Sequence, residues 1–382
     1  MNKFSVRFVP SADALGKVAW QRFFDAAEDP FSSYEFINAL EQTGCASARS
    51  GWQPRHLALY CGQELVGLAI GYVKSHSYGE YVFDWAIAEA YEAHGYQYYP
   101  KWISAVPFTP VTGARLVLSD RVNQQQALAA IHTALNEQAQ QLGWSGWHIN
   151  FCSQAWAEQL QELGLARRTT VQFQWHNQGY RDFDEFCRQL KARKRKNIVK
   201  ERASVTEAGL RIEVASGDEI TPAHMRALSA FYQRTYLKRS GHLGYLNADF
   251  FNQLWQSMGK HLVVISAYDG NDIVAASLFL RGKDTLYGRY WGCLEHYDRL
   301  HFELCYYQGI EYCINQGLAH FNGGAQGEHK LARGFTPLLT HSCHRFINSP
   351  FDAAIDDFIV RETRQYNLYL QQCAGLSPYK VQ

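Results

Sequence analysis

The chain has 382 residues, 47% of them hydrophobic and 14% aromatic, with 37 Lys plus Arg against 36 Asp plus Glu. That much apolar material excludes a disordered chain, and a net charge of +1 excludes a globally basic nucleic-acid coat or an acidic solvating chain. At roughly 100–200 residues per domain, the length predicts two domains or one large one.

No run of about 18 uncharged apolar residues occurs. The best stretches, 57–73 and 262–280, are broken by Glu64 and by Asp269 and Asp272, so no membrane-spanning helix is expected. The N-terminal MNKFSVRFVPSAD has no apolar core of a secretory signal. The nine Cys are scattered, with no CxxC pair or zinc knuckle among them. They read as reduced thiols of a cytoplasmic protein, several of them core fillers.

In chain order, residues 11–45 predict two short helices separated by Asp29-Pro30, with Ser32 or Ser33 capping the second. Two β-rich runs then flank Cys61-Gly62-Gln63-Glu64, a hairpin signal. Residues 78–118 read as a long irregular segment rich in Tyr, Trp and Pro; loops of that length are usually functional. A helix at about 123–142 stopped by Gly143, a strand at 147–152, a helix at 154–163 and a strand at 169–175 follow. Residues 182–208 form a strongly basic helical stretch. Beyond it come a strand at 210–214 and helices at about 222–237 and 249–258. Strands at 261–268 and 273–281 flank the turn 269–272. A strand at 285–292, a helix at 301–316, a strand at 318–322 and the loop 323–334 complete the order. Each half runs through helices, a hairpin, an extended segment, a helix and a short strand. This predicts an α/β fold of two tandem units, 1–175 and 176–382, the second opening with the basic helix.

Four stretches carry a resemblance to a known family. They are HGYQYYPKWISAVPFTPVTGARLV (94–117), FQWHNQGYRDFDEFCRQLKARKRKNIVKER (173–202), FYQRTYLKRSGHLGYLNADFF (231–251) and the block 286–344, from LYGRYWGCLEHYDRLHFELC to RGFTPLLTHSCH. The sequence resembles the FemABX-like branch of the GNAT acyltransferase superfamily, and within it the N-acyltransferase group of peptidoglycan biosynthesis and recognition. The resemblance implies two tandem GNAT-like domains with a cleft between them. It also implies transfer of an acyl or aminoacyl group from a thioester or aminoacyl-tRNA to an amine. No cofactor is then expected to be bound, with acyl-CoA or aminoacyl-tRNA as co-substrate. One departure stands out. Residues 293–300, CLEHYDRL, lack the Gly-rich loop that cradles a pyrophosphate in acetyl-CoA-using relatives, and carry Glu295 and Asp298 instead.

The residues themselves mark four constellations. Residues 191–202 place seven cations against Glu201 alone, a net of +6. Arg193, Lys196 and Lys200 form a stripe at helical spacing, with Lys194 beside it, suited to phosphates of a tRNA, a nucleotide-linked precursor, CoA or an anionic membrane surface. The loop GGAQGEHKLARGF (323–335) gathers four glycines with Glu328, His329, Lys330 and Arg333. Glu328 or His329 suits a general base, and Lys330 and Arg333 suit anion or oxyanion partners. Strand 286–291 alternates so that Tyr287, Arg289 and Trp291 share one face and Tyr290 the other. Helix 301–316 offers Glu303 and Tyr307 at i, i+4. Arg289 is read as an anion partner, and Tyr290, Trp291, Glu303 and Tyr307 as residues that orient or contact the substrate. Tyr99, Lys101 and Arg115, in the aromatic segment, are read as a substrate wall. His341 and His344 lack a third ligand at metal-binding spacing, so no metal is expected. A non-catalytic binder of a cell-wall or nucleotide-linked ligand, or a tRNA-binding protein, would use the same basic helix and loop; only an enzyme needs the base.

Overall fold

The computed structural model describes residues 4–325 and 327–380. It divides into two compact units, Met1–Thr170 with Leu339–Asn367, and Val171–Leu338 with Leu368–Gln382. The C-terminal segment 339–367 thus belongs to the first unit, although it follows the second in sequence.

The first unit contains strands β1 (Phe4–Val9), β2 (Trp52–Pro54), β3 (His56–Cys61), β4 (Glu64–Ala69), β5 (Tyr72–Lys74), β6 (Lys101–Ser104), β7 (Leu116–Leu118) and β8 (Gly146–Cys152). β1, β3, β4 and β7 form an antiparallel sheet, its central hairpin closed by Gly62 at φ +62°. Helix Gln124–Leu142 begins where the Asn123 side chain accepts from the Gln126 N–H, and stops at left-handed Gly143. Its face Ala127, Leu128, Ile131, Leu135 and Ala139 is buried in one apolar core with Leu57, Leu59, Trp147 and Ile149.

Residues 78–118 are more ordered than the sequence suggests. They contain helix Trp85–Ala93, β6 and β7. Ile87 and Tyr91, one helical turn apart, pack with Tyr98, Phe346, Ile355 and Ile359. The helix escapes sequence reading because Asp84, its cap residue, makes no capping bond; its carboxylate accepts from Tyr98 and Lys101 instead.

The second unit contains the end of β9 (Ala166–His176), then β10 (Arg211–Ser216), β11 (Leu262–Asp269), β12 (Asp272–Arg281), β13 (Thr285–Cys293) and β14 (His320–Asn322). β10 to β13 form an antiparallel meander, β14 runs parallel to β13, and β9 pairs antiparallel with β14. The basic stretch is two helices, Phe183–Gln189 and Ala192–Glu207, rather than one. Buried Leu190 turns extended to bridge Tyr379, and the Lys191 N–H donates to Pro378 O, which breaks the helix between them. The crossover from β13 to β14 runs through Leu300–Phe302, a π-helical turn at Glu303–Tyr307 and helix Gln308–Asn315.

The final strand, β15 (Thr336–Phe346), makes the repeat visible. In the first unit β6 runs parallel to β8, and β8 pairs antiparallel with β15, setting His148 opposite His344. In the second, β13 runs parallel to β14, and β14 pairs antiparallel with β9, setting His320 opposite His176. The paired Nδ1 atoms lie 3.0 and 3.1 Å apart.

Gly309 tests the packing beneath the crossover. A Cβ there would stand 2.6 Å from the ring of fully buried Phe321. Gly309→Ala gains helix propensity but overpacks this contact, so a net loss of about 1–3 kcal/mol is expected in urea unfolding. Unchanged or raised stability would show that the ring yields.

Candidate functional site

In open α/β sheets, ligands bind outside the carboxyl ends of parallel strands. β13 pairs with β14 only over Thr285–Tyr287, so Gly288 to Cys293 continue without a strand partner on that edge. β14 ends at Asn322, and the chain turns away through Gly323 and Gly324, the latter at φ +86°. Loop 323–335 returns through the short helix Glu328–Arg333. Gln326 lies outside the described residues.

A nest of rings forms here. Half-buried His301 lies 5.3 Å from the Trp291 ring, 5.5 Å from Tyr306 and 6.3 Å from His329, centroid to centroid. Exposed His329 shares a 2.9 Å hydrogen bond between its Nε2 and the Tyr306 hydroxyl, and its ring lies 5.6 Å from Phe302. Burial pushes His301 down to about 4, helped by the charges of His329, Arg239, Arg333 and Lys330. Partial desolvation lowers His329, with Arg333 and Lys330 adding to the effect. Both imidazoles are therefore neutral near pH 7 and stand in a positive field.

The loop's two cations face its own backbone. Lys330, 1% exposed, donates to Gly324 O at 2.6 Å, and burial pushes its amine down to about 7. Arg333 donates from Nη2 to both oxygens of Glu201 at 2.9 and 2.8 Å, and from Nη1 to His329 O at 2.9 Å. Its Nε donates to the Tyr307 hydroxyl at 2.9 Å, and its guanidinium sits 3.5 Å from the Phe302 ring centroid. Lys330 and Arg333 thus shape the loop rather than standing open as anion partners. Glu328 is exposed and accepts from the Tyr369 hydroxyl at 3.0 Å.

Several other expected substrate contacts are committed elsewhere. The Tyr307 hydroxyl donates to Glu201, and burial raises it far above the ordinary phenol range. Glu303 is buried, accepts from Arg202 at 3.2 Å and Gln308 at 2.7 Å, and is raised by desolvation. Tyr290 packs in the core against Tyr232 and Phe251 at 5.4 and 5.7 Å, with the Arg289 guanidinium 5.3 Å from its ring. Trp291 joins the nest through His301.

Tyr99, Lys101 and Arg115 belong to the first unit. Lys101, 1% exposed, gives its three N–H groups to Ser77 at 3.2 Å, Glu80 at 2.9 Å and Asp84. The Tyr99 hydroxyl meets Ser77 Oγ at 2.6 Å. Burial pushes Glu80 up to about 7, while Lys101 helps hold Asp84 down at about 2 against its own desolvation. Arg115 is buried and donates to the backbone carbonyls of Asn150, Ala114 and Val111. These residues make a structural centre rather than a substrate wall. His344 is likewise buried, facing His148, and no metal-binding group of three His, Cys, Asp or Glu occurs among the described residues.

The basic helix splits its charge between two faces. Arg193, Lys196 and Lys200 are exposed and Lys194 is half-buried; none of the four donates to another described residue. Glu201 and Arg202 turn inward with Ile198 and Val205. Glu201, Arg202, His301 and Tyr306, which stand in or against the nest, are not among the site residues expected from sequence. The one signal for them was position: Glu201 is the lone acid in the basic run, and His301 opens the crossover helix.

The FemAB-like family model, peptidoglycan biosynthesis/recognition, matches residues 11–381. The chain belongs to this family. FemX is similar in structure, with 11% identity, coverage of 87% of this chain and 95% of that one, and a TM-score of 0.50. A tandem GNAT protein from the clavulanic acid biosynthesis pathway has 11% identity, coverage of 90% and 98%, and a TM-score of 0.46. L-PGS from Bacillus licheniformis has 9% identity, coverage of 85% and 95%, and a TM-score of 0.48. The fold is the mixed α/β fold shared with FemX. No curated protein matches the sequence.

Two stability measurements check these environments. Lys330 sits near 7 in the fold and at 10.5 unfolded, so between those values the unfolded chain holds one more proton and stability rises with pH. Lys330→Met should therefore stabilise the protein at pH 6–7, with the gain fading toward pH 10.5; a pH-independent effect would show that the amine is not buried neutral. Lys101→Met leaves two buried carboxylates uncompensated and should cost about 3–5 kcal/mol, while exposed Lys196→Ala should stay within about 0.5 kcal/mol. Equal effects in urea unfolding would overturn that contrast.

Proposed function

We propose that this protein transfers an acyl or aminoacyl group to the amine of a peptidoglycan-precursor-like acceptor. The observation that carries the reading is His329: an exposed, neutral imidazole in a positive field at the carboxyl ends of a parallel strand pair. Amine attack on a carbonyl requires a base for the ammonium proton and stabilisation of the developing oxyanion. His329 accepts the ammonium proton at Nδ1 while its Nε2–H donates to the Tyr306 oxygen, which fixes the ring. As the tetrahedral intermediate collapses, the donor's ester or thioester bond breaks and the hydroxyl or thiol leaves with that proton. The field of the Arg239 and Arg333 guanidiniums favours the negative charge. Arg333 acts as a positioning residue, holding the His329 carbonyl while anchored on Glu201. Trp291, His301 and Phe302, whose rings meet edge to face at 73° and 63°, supply an aromatic wall for the acceptor.

For the donor, an aminoacyl-tRNA fits better than acetyl-CoA. Glu295 and Asp298 remain exposed between β13 and the crossover helix, where they repel a pyrophosphate. The outward cations Arg193, Lys196 and Lys200 suit a nucleic-acid backbone. No helix among the described residues is long and apolar enough to cross a membrane. All nine cysteines are free thiols, which suits a reducing, cytoplasmic setting.

The test is a transfer assay with a nucleotide-linked muramyl peptide, supplied in turn with charged tRNA and with acetyl-CoA. Transfer from charged tRNA is expected. His329→Ala should lower the rate by about 10²–10⁴-fold without loss of folding. The rate should rise with pH through the His329 pKa, below 6.5, because the base works deprotonated. Full turnover by His329→Ala would remove the base assignment. Acceptor binding without transfer from either donor would leave a recognition protein instead of an enzyme.

A further inference from the structure

The second unit holds a pocket of about 640 Å³ that contains none of the residues gathered around His329. Its volume falls in the usual range for small-ligand sites, about 300–1,000 Å³. His176, Gln178, Tyr180, Gln189, Thr336 and Tyr379 supply its wall.

The wall is built before any ligand arrives. Beyond β9, the Asn177 N–H donates to Ala319 O, and the Asn177 side chain accepts from the N–H groups of Gly179 at 3.0 Å and Tyr180 at 3.2 Å. The Tyr180 ring lies against Phe186 at 5.6 Å and Trp175 at 6.0 Å. The Tyr379 hydroxyl donates to Gly334 O at 2.7 Å. Such fixed walls cost little ordering on binding.

The chemistry is nearly neutral. Glu185 and Lys380 are the charged lining residues, and they are of opposite sign. The Glu185 carboxylate is already held by the Arg181 N–H at 2.8 Å and Nε at 3.0 Å. Burial lowers His176, with His320 adding to it, so this imidazole is uncharged near pH 7. What remains is two side-chain amides, the Thr336 oxygen, whose proton goes to Gln174 O at 3.2 Å, a neutral imidazole and two phenol rings. The amides both donate and accept, the Thr336 oxygen accepts, and aromatic faces receive C–H groups. Glu185 already has Arg181 as its counter-charge, and the lining cation Lys380 is exposed, so no buried cation stands ready for a phosphate. A pyranose carries hydroxyls around its rim and C–H groups on its faces, and it matches this inventory.

We propose that this pocket is a binding site for a neutral pyranose saccharide. Binding is read without turnover, so the inference stands or falls independently of the transfer reaction.

The test uses the full chain, titrated by calorimetry and observed by saturation-transfer NMR. The probes are N-acetylglucosamine and its β-1,4-linked disaccharide, with inorganic phosphate and alanyl-alanine as competitors of other chemistry. Saturable binding of a saccharide is expected. Gln178 and Gln189 are exposed, so the double variant Gln178→Ala, Gln189→Ala should fold, which its melting curve checks. Loss of two hydrogen bonds should weaken saccharide binding about tenfold. His329→Ala should bind as the parent does. No saturable saccharide binding, preference for phosphate or the dipeptide, or undiminished affinity in the folded double variant would each overturn the proposal.

Discussion

The second unit's site depends on one carboxylate. Glu201 accepts both nitrogen–oxygen contacts from Arg333 and the hydrogen bond of Tyr307. Three elements meet on it: the basic helix, the π-helical turn of the crossover and the short helix of loop 323–335. Removing it would leave the Arg333 guanidinium, 6% exposed, without a counter-charge, a condition that costs far more than the pair contributes in isolation. Arg333 also holds the His329 carbonyl, so the placement of the proposed base traces back to this acid.

The basic run consequently has two functions divided by helix geometry. Arg202, beside Glu201, bonds Glu303 and Glu311 at 3.0 and 2.8 Å and lies over the Phe183 ring. These inward groups fasten the helix to the crossover. The cations at 193, 196 and 200 point to solvent. A net charge of +6 therefore overstates the free positive surface, because part of it is spent inside the unit.

Much of the fold was legible, for reasons particular elements show. Helix Gln124–Leu142 announces itself by a cap, a periodic apolar face and a terminal glycine. Helix Trp85–Ala93 has only Ile87 and Tyr91 buried, and its cap residue serves Lys101. No local rule reveals a cap spent on a residue seventeen positions away. Loop 323–335 stood out as a site through its glycines and ionisable groups, but its roles did not follow. In a 3₁₀ turn, residues i and i+3 eclipse. Lys330 and Arg333 accordingly share the inner face, while Glu328 and His329 are left outside. That choice of face is set by Gly324 within the loop and by Glu201, 132 positions away in sequence.

The repeat lets the same place be compared in both units. At the carboxyl ends of β6 and β8, the first unit places its own chain. Residues 105–111 are buried there, the Gly113 N–H donates to Phe151 O, and Arg115 donates to Asn150 O and Val111 O. Those backbone acceptors, which a ligand would otherwise meet, are already satisfied. The second unit treats the equivalent place differently. Its loop is held by Lys330 on Gly324 O and by Arg333 on Glu201 and the His329 carbonyl, and it leaves the His329 imidazole exposed beside the Phe302 ring. One copy of the fold has closed its crevice with structure. The other has kept an accessible neutral base over a positive field, and the proposed chemistry is confined to it.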